Sequence, residues 1–485
     1  MAINQKIYDI LLNIGIDLSA QPNMPRLLDT IVTQAMAITG CDAGTLYLHE
    51  DNLLHFTIMR NHTMNLDKDQ SQEPILLPPV PISQENVCSY VVIHKKMENI
   101  SDVYSSDKFD FSGPKKYDAI TNYRTKSMLV IPLETNKGEV VGVLQLINAM
   151  NDVGDIVPFD PEFEHIFRSV ASQAAIALIN MKYKKEIKQL LQSIVEVLTA
   201  AIDERTHYNA KHTQNIARLT EEFIDFVNKE YKLGLTDLSF NDSLKEQIIM
   251  AAWLHDIGKI ITPLEVMDKS TKLGAEVATL ELRFDKIYYS EKVKFLLGYY
   301  TQEQWQLLED EISQTKELAL KMNVSNVSDE QIQQIQALAT RISTTEKGQK
   351  ISWLTPTDVE NLCIKYGTLN VSERAIMEDH VVITNRLLSK IEFSDEYKDV
   401  PLFAAGHHEK INGKGYPDGL KGDKIPIPTR ILGMMDVFEA LTANDRPYKS
   451  SMSIETTFDI LSKMAINGDI DQVLFNLLQK QYGIN

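Results

Sequence analysis

An adjacent histidine and aspartate, His255 and Asp256, stand in the strongly apolar run QIIMAAWLHDIGKI. An unpaired ionisable pair is costly to bury, and ligating a metal ion removes that cost. Neighbouring side chains on a helix diverge by about 100°, so the pair suits two ions or two faces of one, and Asp256 can bridge. The helix is expected to end near Gly258. Lys259 comes one turn after His255 on the same face, where its ammonium would sit near any anion held there. The plainer reading is a solvated lysine favoured by the helix dipole.

More imidazoles and carboxylates occupy inward-facing positions. His380 falls on the stripe Ile376, His380, Ile383, Leu387, Ile391, which by itself reads as a core histidine. His407 and His408 sit together before the Gly- and Pro-rich loop HHEKINGKGYPDGLKGDKIPIP, and Asp436 lies inside the apolar run ILGMMDVFEAL. His212 leads an apolar face through Ile216, Leu219 and Phe223. Nitrogen and carboxylate donors without thiolate suit manganese, iron, zinc or cobalt, and the set exceeds what one ion needs. Two divalent ions are expected, with three as the alternative.

Elements must position these residues. From about Ile7 to Asn180 the pattern runs helix, short strands, closing helix, an α/β or α+β module. Strands are expected at GTLYLHE, LLHFTIM, SMLVIPLE and VVGVLQLIN. The last two flank a short turn and predict a hairpin with one buried face. Between Phe167 and Ile202, Val170, Ala174, Ala177, Met181, Leu191, Val195, Leu198 and Ile202 follow a 3-4 spacing, interrupted by Lys184 and Lys188. That is a long helix packing on its own domains or, the favoured reading, a parallel dimeric connector. Beyond it the chain reads as nearly all α. Residues 275–355 carry the helix-start pairs Thr301 with Gln304 and Ser328 with Gln331. The stripe Trp305, Leu308, Ile312, Ala319, Met322 predicts a helical hairpin.

The chain has 485 residues, 44% hydrophobic and 24% charged, which is too much for one core and points to several domains. No leader pattern and no long apolar run is visible, so a cytoplasmic protein without a membrane span is expected. Cys41, Cys88 and Cys363 match no zinc or redox spacing and read as buried thiols. A net charge of −18 argues against duplex nucleic acid as a partner. It leaves room for a small anionic substrate if metals supply local positive charge. No P-loop or dinucleotide fingerprint is present, so nucleotide chemistry here must be metal-based.

The succession of His212, HDIGK, EDHVV, HHEKINGKGYP and DVFEALTANDRPYK resembles the HD-GYP family of HD-superfamily phosphohydrolases, over about residues 190–275 and 360–485. The resemblance implies hydrolysis of cyclic di-GMP to linear pGpG, in some members onward to GMP, with iron or manganese as the metals. It assigns His212, His255, Asp256 and Asp436 to the superfamily metal set, and His380, His407 and His408 to a second ion. It makes Lys259 catalytic beside Asp256, and Gly415, Tyr416, Pro417, Arg446 and Lys449 substrate contacts. A loop tyrosine can stack on guanine and an arginine can bind phosphate bidentately. Some members hold a third ion through a glutamate one turn before the first histidine. Here Tyr208 stands there, with His207 beside it and Glu204 a turn earlier, so two ions are preferred. The long separation of Asp256 from His380 departs from the family and makes 275–355 an insertion. A catalytically silent receptor and an enzyme for hybrid cyclic GMP-AMP are the alternatives.

The N-terminal part resembles a GAF domain through NYRTKSMLVIPLETNKGEVVGVLQLINAMN and the SVASQAAIALIN helix. Asn148 followed by Ala149, with Phe159 and an imperfect acidic segment, is a weak version of the cyclic-nucleotide signature in such domains. Cys41 and Cys88 do not match bilin or haem attachment. The expectation is an α+β GAF-like sensor over 1–180 with an unknown small ligand, a dimerising helix over 167–202, and an all-α catalytic domain over 190–485 with a helical insertion.

Overall fold

The computed structural model describes residues 24–69, 75, 77–205, 211–345, 347–443 and 452–484. It divides into two compact units, Met1–Leu191 and Gln192–Asn485.

In the first unit, helix Met24–Thr39 precedes strands β1 (Cys41–Glu50), β2 (Leu53–Asn61), β3 (Leu66–Asp69), β4 (Val80–Pro81), β5 (Glu98–Ile100), β6 (Met128–Glu134), β7 (Val140–Met150) and β8 (Ile156–Val157). The sheet runs β3-β2-β1-β7-β6-β5, with β4 on β2 and β8 on β7. Its pairings are antiparallel. The expected β6–β7 hairpin forms, and its turn passes through Gly138 at φ +80°, a conformation glycine adopts without steric cost.

The single buried face expected of that hairpin is corrected to two. Leu129, Ile131 and Leu133 of β6 pack with Leu27, Val32 and Phe167 of the flanking helices. Met128 and Val130, pointing the other way, pack with Tyr47, Val91 and Phe111. Strand alternation tells which residues share a face, whereas the segments that cover each face come from elsewhere in the chain. Asn148 takes a left-handed φ of +59°. Its amide donates to the Tyr123 hydroxyl at 2.9 Å and the Arg124 carbonyl at 2.8 Å, and its oxygen accepts from the Lys126 N–H at 2.7 Å. It is an internal brace of this unit.

Helix Glu162–Asp203 is continuous over 42 residues. Val170, Ala174 and Leu178 are buried, whereas Tyr183, Ile187, Leu190, Ile194 and Val197 are exposed.

The second unit is mainly helical. Phe223 and Val227 of helix His212–Lys232, Ile248 and Ala252 of helix Asp242–Leu254, and Met435 and Phe438 of helix Ile427–Thr442 share one core. Removing the fully buried Phe223 ring would cost about 3–5 kcal/mol. Leu280 and Phe284 of helix Glu276–Leu296 make a separate core with Ile312, Ala319 and Met322 of helix Gln302–Val324. Both helix-start pairs are capping boxes, Thr301 with Gln304 and Ser328 with Gln331. The all-helical expectation for 275–355 is corrected by an antiparallel pair, Ile342–Thr344 with Lys350–Ser352. Among the described residues no helix is long and apolar enough to cross a membrane.

Candidate metal centre

The helix leading into the His-Asp pair ends at Leu254, earlier than the expected Gly258, so His255 and Asp256 sit in the break before a 3-10 turn at Ile257–Ile260. Gly258 permits this, because a Cβ there would collide with the His380 carbonyl and come within 2.7 Å of the Thr384 nitrogen. Thr384 bridges the break. Its hydroxyl donates to the His255 carbonyl and accepts from the Gly258 N–H, both at 3.0 Å. His380 likewise opens a helix of its own, His380–Leu388, after Val371–Glu378 ends. The continuous stripe expected there is corrected: His380 and Ile383 are buried, Ile376 and Ile391 exposed.

The seven imidazole and carboxylate positions expected from sequence converge. Three groupings have donor atoms close enough to share an ion: His380 with His407 and His408, His212 with His255 and Asp436, and His255 with Asp256 and His407. Asp256 lies between. Its Oδ2 is 3.2 Å from His255 Nε2 and 3.6 Å from His212 Nε2, and its Oδ1 is 3.3 Å from His380 Nε2 and 4.0 Å from His407 Nε2. Asp436 Oδ1 is 3.4 Å from His212 Nε2.

The outer ring nitrogens fix the tautomers. Nδ1 of His255, His380 and His407 donates to the carbonyls of Ala252, Met377 and Ala404 at 2.7, 2.6 and 2.6 Å. A carbonyl only accepts, so each Nδ1 carries a proton, and burial keeps His380 and His407 neutral, so the Nε2 of these two presents a lone pair inward. Those three Nε2 atoms and Asp256 Oδ1 are buried with no hydrogen-bond partner among the described residues. The Nε2 acceptors of His380 and His407 thus face the Asp256 carboxylate, and a cation between them satisfies these atoms, as it does His255 Nε2 in exchange for a proton. The donor set therefore fits divalent metal ions, with the backbone carbonyls acting as outer partners that orient the rings.

Electrostatics divide the cluster. Burial pushes His212 down, but Asp256, Asp436 and Glu439 outweigh it and hold this imidazole well above its ordinary range. Burial and the neighbouring histidines hold His407 well below that range, and burial above all brings His408 to about 4. Burial would raise Asp256, yet His255, Lys259 and His212 keep its carboxyl far below the ordinary carboxylate range. Lys259 faces Asp256, with Nζ 2.5 Å from Oδ2, which corrects the expectation that it shares a face with His255. A 3-10 turn aligns residues three apart.

The Gly-rich loop folds back over the second histidine group. Tyr416 lies against His408 with ring centroids 4.8 Å apart, and its N–H donates to the His408 carbonyl at 3.3 Å. Gly415 leaves no room for a side chain, since a Cβ would press on the backbone of His408, Glu409 and Lys410. Pro417 follows Tyr416 through a cis peptide. Arg446, Lys449, His207 and Tyr208 lie outside the described residues.

Residues 306–474 match the HD domain family and residues 23–178 match the GAF domain family. The chain contains a GAF domain followed by an HD domain. A 3'3'-cGAMP-specific phosphodiesterase 3 of Vibrio cholerae serotype O1 is 35% identical over 116 residues, covering 24% of this chain and 24% of that protein. A probable cyclic di-GMP phosphodiesterase of the same organism is 33% identical over 147 residues, covering 25% of this chain and 32% of that protein. The match thus spans between 24% and 32% of the length of these two curated relatives. The GAF domain of an Acinetobacter phosphoenolpyruvate-protein phosphotransferase aligns with a TM-score of 0.29 at 15% identity, over 37% of this chain and 98% of that one.

The HD match takes in His380, His407, His408 and Asp436 but stops short of His212, His255 and Asp256, which the fold brings to the same cluster. Sequence reasoning missed several partners of the HD site. Glu439 accepts from His212 Nδ1 at 2.6 Å and from the Asn215 amide at 3.1 Å. It lies one turn after Asp436 on a buried face, a signal that could have found it. Glu409 accepts from the N–H groups of Asp418 and Leu420 at 2.7 and 2.8 Å and closes the loop. Glu204, considered as a further ligand, is exposed, while Asp203 beside it is buried.

Proposed function

We propose that the HD domain hydrolyses cyclic di-GMP to linear pGpG, with GMP as a further product, under regulation by the GAF domain. The observation that carries this reading is Asp256, whose two oxygens face two histidine groups with inward, unpartnered Nε2 atoms. The substrate class is supported by the two relatives, named for 3'3'-cGAMP and cyclic di-GMP.

His212, His255, Asp256 and Asp436 hold one divalent ion, and His380, His407, His408 and Asp256 the other. Nitrogen and oxygen donors suit iron or manganese. Such ions, when bound, polarise a phosphodiester and acidify a water. Lys259 places its ammonium where it offsets charge on the leaving oxygen. Tyr416, held between Gly415 and Pro417, stacks on a guanine, while Arg446 and Lys449 bind phosphate or a base edge. Segment 275–355 is an insertion in a catalytic domain spanning 190–485, and 1–180 is the sensor for a small ligand.

The exposed positions Tyr183, Ile187, Leu190, Ile194 and Val197 follow a heptad spacing, which supports a homodimer joined along this helix.

The test is incubation of manganese- or iron-loaded protein with cyclic di-GMP, 3'3'-cGAMP and cyclic di-AMP, with chromatography of the products. Linear pGpG from cyclic di-GMP is the expected result. Faster cleavage of 3'3'-cGAMP would transfer the reading to the hybrid substrate. Binding without turnover by metal-loaded protein would make the domain a receptor.

A further inference from the structure

Asp203 and Arg205, at the end of helix Glu162–Asp203 and just beyond it, have no part in the chemistry described so far. Asp203 is 6% exposed. Its carboxylate accepts from the Thr213 N–H at 3.4 Å and the Thr213 hydroxyl at 3.1 Å. These groups sit in the first turn of the helix that begins at His212, where Lys211 supplies no side-chain cap. Helix-start N–H groups need such an acceptor. Arg205 reaches the other ligand-bearing segment. Its Nη1 donates to the Lys259 carbonyl at 2.8 Å and also to that of Ile260, and its Nη2 donates to the Thr262 carbonyl at 3.1 Å. The Lys259 and Ile260 carbonyls end the 3-10 turn Ile257–Ile260 that follows Asp256, and Thr262 lies two residues beyond it, where a helix end is short of backbone donors.

We propose that Asp203 and Arg205 are positioning residues, which together set His212 and Lys259 in place around Asp256. The inference rests on the hydrolytic reading above and deepens it. A guanidinium presents its donors as a rigid fork, so its hold on the carbonyls of Lys259, Ile260 and Thr262 fixes where the Lys259 backbone starts toward Asp256. Displacing a reacting group by about 1 Å can cost about 100-fold in rate. The helices themselves are held by the core around Phe223, Ile248 and Phe438, so the latch orients the site without carrying the fold. It also gives the connecting helix a direct grip on the centre: a turn or shift of its last residues moves both segments at once.

The test uses the full-length, manganese-loaded chain and the variants Arg205→Ala, Arg205→Lys and Asp203→Asn. Three quantities are followed: bound manganese, steady-state kinetics on cyclic di-GMP and bis(p-nitrophenyl) phosphate, and amide hydrogen exchange. Arg205→Ala is expected to keep wild-type manganese and lose about 30- to 100-fold in kcat, with KM changed less than about twofold. Exchange should quicken over 257–262, and added guanidinium ion should restore part of the rate. Arg205→Lys should lie between. Asp203→Asn should quicken exchange at 212–214. Unchanged exchange, unchanged kcat, or a rate loss that merely follows lost manganese overturns the proposal. Should Arg205→Ala not fold, the same criteria apply to Arg205→Lys and Asp203→Asn. A wild-type protein that cleaves bis(p-nitrophenyl) phosphate but no cyclic dinucleotide sinks the substrate reading alone, and the latch is then judged on that ester.

Discussion

The ammonium of Lys259 lies 2.5 Å from Oδ2 of Asp256, the oxygen that also faces His255 and His212. An ammonium in contact with the carboxylate on which both ion groupings converge is close to any phosphate bound there. Lys259→Ala should keep its metals and lower kcat about 100-fold with little change in KM. Metal analysis and steady-state kinetics check this, and an unaltered kcat would leave Lys259 as no more than a structural partner of Asp256.

Asp256 touches both groupings, whereas His380 touches one. Asp256→Ala should therefore lose both ions and turnover while staying folded, and His380→Ala should lose one ion. Elemental analysis beside circular dichroism measures the difference. Equal stoichiometry in the two variants would contradict the bridging role.

The two groupings should respond differently to pH. Without ions, His212 is held protonated by Asp256, Asp436 and Glu439 even though burial opposes it, whereas His407 and His408 are held neutral by burial, the latter with its pKa near 4. An ion at His212 must displace a proton, so its affinity rises as pH rises through neutrality. An ion at His407 and His408 displaces none above about pH 5. Titration calorimetry in buffers of unequal ionisation heat should find proton release in His380→Ala, which keeps the His212 grouping. Absence of that release would be evidence against the assignment.

Glu439 accepts from the outer nitrogen of His212 at 2.6 Å. Replacing such an outer partner costs about 10- to 100-fold in metal affinity, so Glu439→Gln should weaken one ion by that factor. Competition with a chelator reads it out. An affinity equal to that of the unaltered protein would reduce Glu439 to a structural role.

Leu190 is 60% exposed within the heptad run of the long helix. Leu190→Glu should convert the proposed dimer to monomer at micromolar concentration, as followed by sedimentation velocity. A wild-type chain that sediments as a monomer would remove the premise.

The residue types and their spacing were enough to nominate the seven donors, the β6–β7 hairpin and the capping boxes at Thr301 and Ser328. Each of these is written in local chemistry: apolar periodicity, turn residues, and side chains too costly to bury unpaired. Tertiary packing decided the rest. It put Lys259 on Asp256 instead of His255, turned Asp203 inward and Glu204 outward, covered both faces of β6, and supplied Glu439 as the partner of His212. Those outcomes depend on contacts between residues far apart in the chain, such as His212 and Glu439 or Gly258 and Thr384. Helical or strand periodicity specifies which side of an element is buried. What lies against that side is set only when the elements pack.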